Sequence, residues 1–103
     1  MKTSYESDAK VFKALCDPRR LAILEKLRSG EKCVCVLLED MDIGQSCLSY
    51  HLKVLSESGI VESRQDGKWT YYHLSEAGRE SAVALLRELT TPVSDQKCDC
   101  CRK

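Results

Sequence analysis

Cys33-Val34-Cys35 places two soft thiols one residue apart. Cys98, Cys100 and Cys101 form a second group, while Cys16 and Cys47 stand alone. Thiolates select soft or thiophilic ions, whereas Mg and Ca prefer oxygen donors. Ligation needs deprotonated sulfur, so binding releases protons and weakens at low pH. Beside cationic side chains the same sulfurs could instead be oxidised to sulfenate or disulfide. The bland alternative for Cys33 and Cys35 is a pair of small buried hydrophobes. Cys16 and Cys47 read as packing residues. The three tail thiols could form a trigonal site by themselves, lend a ligand to Cys33/Cys35, or chelate with no link to anything else. From Pro92 to Cys98 an extended chain spans up to about 20 Å, enough to reach the first pair in either copy of a dimer.

The elements that must position these sulfurs follow from caps and periodicity. Phe12, Leu15 and Cys16 suit a first helix over residues 6–15. Asp17-Pro18 restarts the chain as N-cap and first helical residue. Leu21, Leu24 and Leu27 stripe a second helix, stopped by Ser29-Gly30. Residues 33–38 read as a short third helix and 41–44 as a turn. Over 45–58, Leu48, Leu52 and Leu55 recur at i, i+4, i+7 and face inward. Gln45, Ser46, Ser49, Tyr50 and Lys53 are then left on an outward, hydrogen-bonding face. Residues 61–74 read as a two-stranded hairpin, with Asp66-Gly67 as a type I′ turn signal. Ser75 caps a last helix striped by Ala82, Leu85, Leu86 and Leu89, which Thr90-Thr91-Pro92 ends. That stripe either covers the core or pairs with its copy in a dimer, and together with the first helix it could do both. The sum is mainly α with a small β-hairpin, a dimeric winged helix-turn-helix over residues 1–91 with a Cys-rich tail at 92–103.

Composition narrows the function. At 103 residues the chain is one domain. No apolar run reaches the length of a membrane span, and residues 1–13 lack the apolar core of a signal peptide. A cytoplasmic protein is expected, in which seven cysteines stay reduced and no disulfide framework forms. No nucleophile–base pair or Gly-rich phosphate loop suggests an enzyme. Net charge is zero, so DNA reading rests on helix pattern rather than bulk charge.

Three motifs in order carry a resemblance. Ala14-Leu15-Cys16-Asp17-Pro18-Arg19-Arg20-Leu21-Ala22-Ile23-Leu24 resembles the second-helix start of the ArsR/SmtB family of metal-sensing repressors. Gln45-Ser46-x-x-Ser49-x-His51-Leu52-x-x-Leu55-x-x-x-Gly59-Ile60-Val61 resembles its recognition helix. Arg64-x-x-Gly67-Lys68-Trp69-x-x-Tyr72 resembles its wing. The resemblance covers residues 8 to 90. It implies a cytosolic homodimer that binds an inverted-repeat double-stranded DNA operator and leaves it when a toxic metal or metalloid binds.

Cys33-Val34-Cys35 resembles the arsenite branch, whose pattern is Cys-Val-Cys-Asp-Leu-Cys. Here Val36 replaces the acid and Leu38 the third thiol. The site is one ligand short of the three thiolates the branch uses. The family's zinc site on the last helix needs histidine, and that helix has none. As(III) or Sb(III) is the inducer the resemblance implies, with Cd, Pb and Zn as divalent competitors and Cys33, Cys35, Cys98, Cys100 and Cys101 as candidate ligands. For DNA the candidates are Gln45, Ser46, Ser49, Tyr50, His51, Lys53, Arg64 and Lys68. His51 could instead brace its helix, and Arg64 and Lys68 could be a solvated hairpin tip. Arg19 and Arg20 suit either the DNA backbone or solvent. Trp69, Tyr71 and Tyr72 read as wing packing rather than base stacking, and His73 as wing surface.

Helical residues i and i+2 lie about 200° apart, so a regular third helix would point Cys33 and Cys35 apart. Chelation would then unwind that helix and move the recognition helix. Two rival functions use the same fold: a thiol redox switch, and a metal buffer with no specific DNA complex.

Overall fold

The computed structural model describes residues 5–94. Its elements in chain order are α1 (Tyr5–Ala14), α2 (Pro18–Leu27), β1 (Lys32–Cys33), α3 (Val34–Asp40), α4 (Gln45–Glu57), β2 (Val61–Asp66), β3 (Trp69–Leu74) and α5 (Glu76–Thr90). The three strands form one antiparallel sheet in the order β1-β3-β2. This is a winged helix-turn-helix: α3 and α4 form the helix pair, and β2–β3 the wing.

Asp17 starts α2 as expected. Its carboxylate accepts the Arg19 N–H at 2.8 Å, and Pro18 sits at the first helical position. Ser75 likewise caps α5, accepting from the Gly78 N–H at 3.0 Å. The inward stripe of α4 is as the periodicity demands: Leu48, Leu52 and Leu55 are buried in one core with Ala14, Ile23, Leu27, Leu37, Val54 and Val61.

Four local expectations are corrected. Residues 32–33 form a strand, with Lys32 opposite Tyr72 and Cys33 opposite Tyr71, so the sheet has three strands instead of two. The buried stripe of α2 runs Arg20, Ile23 and Leu27, and Leu21 is 49% exposed. The register pairs Asp66 with Trp69, so Gly67-Lys68 is the two-residue loop. Gly67 has φ +64 and, among the described residues, no non-glycine residue has positive φ, which fits a II′-like turn with glycine first, not the I′ turn of an Asp-Gly loop. The turn at residues 15–16 leaves Cys16 exposed rather than packed.

The stripe of α5 does not cover the core. No α5 residue is fully buried, and Val83, Leu86 and Leu89 are exposed. What anchors α5 is its first turn. The Ser75 N–H donates to the Ile60 carbonyl at 2.8 Å, and Gly78 lies against the Gly59–Ile60 backbone. A methyl group at residue 78 would sit 1.9 Å from the Gly59 carbonyl oxygen. Replacing helical Gly by Ala ordinarily gains about 1 kcal/mol. Here overlap with backbone costs about 3 kcal/mol and outweighs that gain. Gly78→Ala is therefore expected to lower the urea unfolding midpoint, with a net loss of about 2 kcal/mol. An unchanged midpoint would show that α5 does not pack this closely.

Candidate nucleic-acid interface and thiol site

The outer face of α4 carries Gln45, Ser46, Ser49, Tyr50 and Lys53, all exposed. These side chains donate and accept hydrogen bonds, and Lys53 adds a positive charge. They can read base edges and touch phosphate. The turn from α3 leaves this row clear of the core because the three leucines of α4 are drawn inward.

His51 does not belong to that face. It is 5% exposed, and its Nδ1 lies 3.0 Å from Arg20 Nη1. Arg20 is equally buried and spends its other donors on backbone, Nε to the Ala14 carbonyl at 3.2 Å and Nη2 to the Lys13 carbonyl at 2.9 Å. A buried guanidinium must satisfy its donors inside the protein. It takes them from the end of α1 and from α4, which turns both Arg20 and His51 into braces rather than DNA contacts. Arg19 remains exposed and donates to Cys47 Sγ at 3.2 Å, beside the start of α4.

On the wing, Lys68 is exposed at the tip. Arg64 has a protein partner. Its guanidinium forms a paired contact with Glu31, Nε to Oε2 at 3.0 Å and Nη2 to Oε1 at 2.6 Å, and lies 4.7 Å from the centre of the Tyr71 ring. Arg64, a candidate DNA contact, is half exposed and also anchors the wing base. His73 stands between carboxylates, 3.2 Å from Glu62 and 3.6 Å from Glu31. The Arg64 hydrogen bond holds the Glu31 carboxyl below its ordinary range, against a smaller opposing effect of burial.

Cys33 occupies two elements. It ends β1, and with φ −71 and ψ 146 it is the N-cap of α3. Its sulfur accepts the Cys35 N–H at 3.4 Å and the Cys35 thiol at 2.7 Å. The expectation that the two thiols point apart fails because Cys33 is extended, outside the helix. The pair meets at the helix start with no unwinding. The hydrogen bond from Cys35 lowers the Cys33 pKa, and the same bond raises that of Cys35. Of the two thiols, Cys33 is therefore the first to ionise.

The pair opens into a cleft of about 280 Å³ between the start of α4 and the wing tip. Val34, Leu38 and Trp69 supply its apolar wall; Gln45, Lys68 and Thr70 supply polar groups. Trp69 is 49% exposed and faces this cleft instead of filling a wing core. Among the described residues no group of three or more His, Cys, Asp or Glu side chains could hold a metal ion. Cys98, Cys100 and Cys101 lie outside the described residues. Sequence reasoning missed Trp69 as a cleft residue and Glu31 as the wing anchor. Arg20, Ile23, Leu24 and Leu27 follow i, i+3, i+4, i+7, a signal that a search for apolar stripes passes over because its first member is charged.

The fold, the free polar face of α4 and the wing define a DNA-binding transcriptional regulator. Residues 17–63 match the model of the bacterial regulatory proteins of the arsR family. The arsenical resistance operon repressor of Staphylococcus aureus is 37% identical over 94% of this chain and 91% of its own length. That of Bacillus subtilis (strain 168) is 40% identical, covering 87% and 86%. A solved structure described as a possible transcriptional regulator for arsenical resistance superposes with a TM-score of 0.70 at 31% identity, covering 81% of this chain and 86% of that one. The chain belongs to the arsR family. No described helix is long and apolar enough to cross a membrane.

Two outcomes test the assignments of His51 and Glu31. His51→Ala leaves a buried Arg20 donor unpaired and is expected to cost about 1–3 kcal/mol in urea unfolding. Lys53→Ala on the outer face should change stability by less than about 0.5 kcal/mol. Equal effects would contradict the division of α4 into a bracing and a free face. Because Glu31 is lowered in the folded state, its contribution is complete above the ordinary glutamate pKa and is lost as pH falls through the lowered value. Glu31→Gln should therefore flatten the acid limb of a stability–pH curve, and an acid limb like the wild type's would remove Glu31 from the wing anchor.

Proposed function

We propose that this chain represses an arsenical resistance operon in the cytoplasm and releases its operator when arsenite or antimonite binds at Cys33 and Cys35. One observation carries the reading: the two sulfurs converge on a cleft walled by Gln45 of α4 and by Lys68 and Trp69 of the wing. A bound ion would occupy space between the two elements that must grip DNA together. Its binding energy then weighs against the DNA-competent spacing, as linkage requires of an inducer.

The operator is read as double-stranded DNA with an inverted repeat, because the uncovered Val83, Leu86 and Leu89 of α5 suit a second copy of the chain. Two-fold symmetry then sets half-sites about one helical turn, or a multiple, apart. Gln45, Ser46, Ser49, Tyr50 and Lys53 enter the major groove and Lys68 touches the backbone. In this reading residues 1–91 are the DNA-binding and dimerisation domain. Residues 92–103, with Cys98, Cys100 and Cys101, form a tail that can lend a third thiolate.

A second reading rests on the same 2.7 Å approach of the sulfurs. A hydroperoxide could oxidise the pair to a disulfide, with two electrons passing to the peroxide oxygens.

The test is operator release by fluorescence anisotropy, using the promoter DNA of the chain's own operon. Ser49→Ala with Tyr50→Ala should abolish DNA binding and leave metalloid binding intact. Cys33→Ser with Cys35→Ser should keep DNA binding and block release by arsenite; serine is a good N-cap, so α3 keeps its start. Release that survives in this variant, and disappears only when the tail cysteines are replaced, would move the sensor to the tail. Release by peroxide but not by arsenite, Cd, Pb or Zn, reversed by thiol reductant alone, would favour the redox reading.

A further inference from the structure

Arg19 stands in the first turn of α2, yet its side chain reaches α4. Its Nη1 donates to Cys47 Sγ at 3.2 Å, and Cys47 lies in the first turn of α4. A thiol sulfur is a weak acceptor, so this contact aims the guanidinium without exhausting its five donors. Other arginines are engaged. Arg28 pairs with Glu25, Arg64 with Glu31 and Arg79 with Glu80, while Arg20 is buried on backbone carbonyls. Arg19 is exposed and has no carboxylate partner among the described residues. Asp17, its acidic neighbour, spends its carboxylate on the Arg19 backbone N–H as the cap of α2.

The side of α4 on which Arg19 stands matters. Gln45 and Cys47 are two residues apart, about 200° around the helix. Gln45 borders the cleft that Lys68 of the wing tip also lines. Cys47 meets Arg19 on the other flank. The start of α4 therefore has a cation on either side, one from the wing and one from α2. An α-helix is about 10–12 Å across and the major groove about 12 Å wide. With α4 in the groove, side chains beside its first turn meet the phosphates of the walls, not the bases. A guanidinium presents a planar fork that matches phosphate. The chain has no net charge, so attraction to the backbone must come from a few cations placed where phosphates lie.

We infer that Arg19 grips a backbone phosphate on the groove wall opposite the one reached by Lys68, and that Cys47 is its positioning residue. This rests on the proposed placement of α4 in the major groove, and adds a contact from a helix outside the recognition pair. Arg19 touches the DNA. Cys47 acts only through Arg19, holding Nη1 and leaving Nε and Nη2 for the phosphate.

The experiment uses the full chain, the promoter duplex of its own operon and a scrambled duplex of equal length. Affinity is measured by fluorescence anisotropy across a KCl series. Arg19→Ala should make the plot of log affinity against log salt shallower by about 0.9 for each copy of the chain bound. It should weaken operator and scrambled duplex by the same factor, because a phosphate contact carries no sequence information. Arg19→Lys keeps the charge and should restore the slope. Arg28→Ala, at the far end of α2, should leave the slope unchanged. Cys47→Ala should keep the slope and lower operator affinity about threefold, and that loss should vanish in an Arg19→Ala background. A slope in Arg19→Ala equal to that of the wild type or of Arg28→Ala overturns the inference, as does weakening confined to the operator. A Cys47→Ala loss that persists without Arg19 overturns the positioning role. The reading of α4 stands apart from these results as long as Ser49→Ala with Tyr50→Ala abolishes operator binding. Operator binding that survives in that pair overturns both.

Discussion

A buried guanidinium organises the helical half of this protein. Arg20 cannot meet water, so its donors must be met by the Lys13 and Ala14 carbonyls and by His51. Those three contacts join the end of α1, the start of α2 and the middle of α4. Breaking one partner of a buried charged group is far costlier than losing a surface contact. The direction of α4 is therefore set from inside. With His51 held in the core, the polar residues at 45, 46, 49, 50 and 53 are left in a single outward row.

Cys33 does for the other half what Arg20 does for the helices. Its backbone pairs with Tyr71 of the wing and its side chain caps α3. Two residues earlier, Glu31 holds Arg64 of β2 and approaches His73 of β3. The wing base is thus fixed to the segment that carries the thiol. Surface ion pairs are individually weak, but this one is a paired contact backed by Tyr71 and by strand pairing, so geometry matters here more than charge.

The sequence showed most clearly the features set by local chemistry. Asp17-Pro18 and Ser75 cap helices wherever they occur, and the leucine period of α4 needs no neighbour to be read. What it hid was tertiary. Strand β1 is two residues long and exists only because β3 lies beside it. The turn type depended on register, which placed Gly67 first in the loop. Arg20 was hidden by its charge, since burial there follows from three acceptors supplied by distant chain. His51 looked like a DNA contact in one dimension and is buried against Arg20 for the same reason; the pairing of Arg64 with Glu31, 33 residues away, was equally invisible. The Cys33–Cys35 spacing misled most usefully. Helical geometry separates i from i+2, but a cap residue is not helical.

That last point changes how induction must work under the proposed function. If the thiols had pointed apart, chelation would have melted α3 and dragged α4 with it. They already meet, so the helix can stay whole, and the free energy of binding has to act through the cleft. The wing base is pinned at Glu31 and along β1, whereas its tip at Lys68 and Trp69 borders the cleft opposite Gln45. In that proposal a ligand on the sulfurs would be a wedge between the fixed helix start and the wing tip. Allosteric coupling of about 1–3 kcal/mol, some 5–150-fold in affinity, is the usual scale for such a device. Displacing one phosphate contact and crowding one end of the reading face is of that order, without any helix having to unfold.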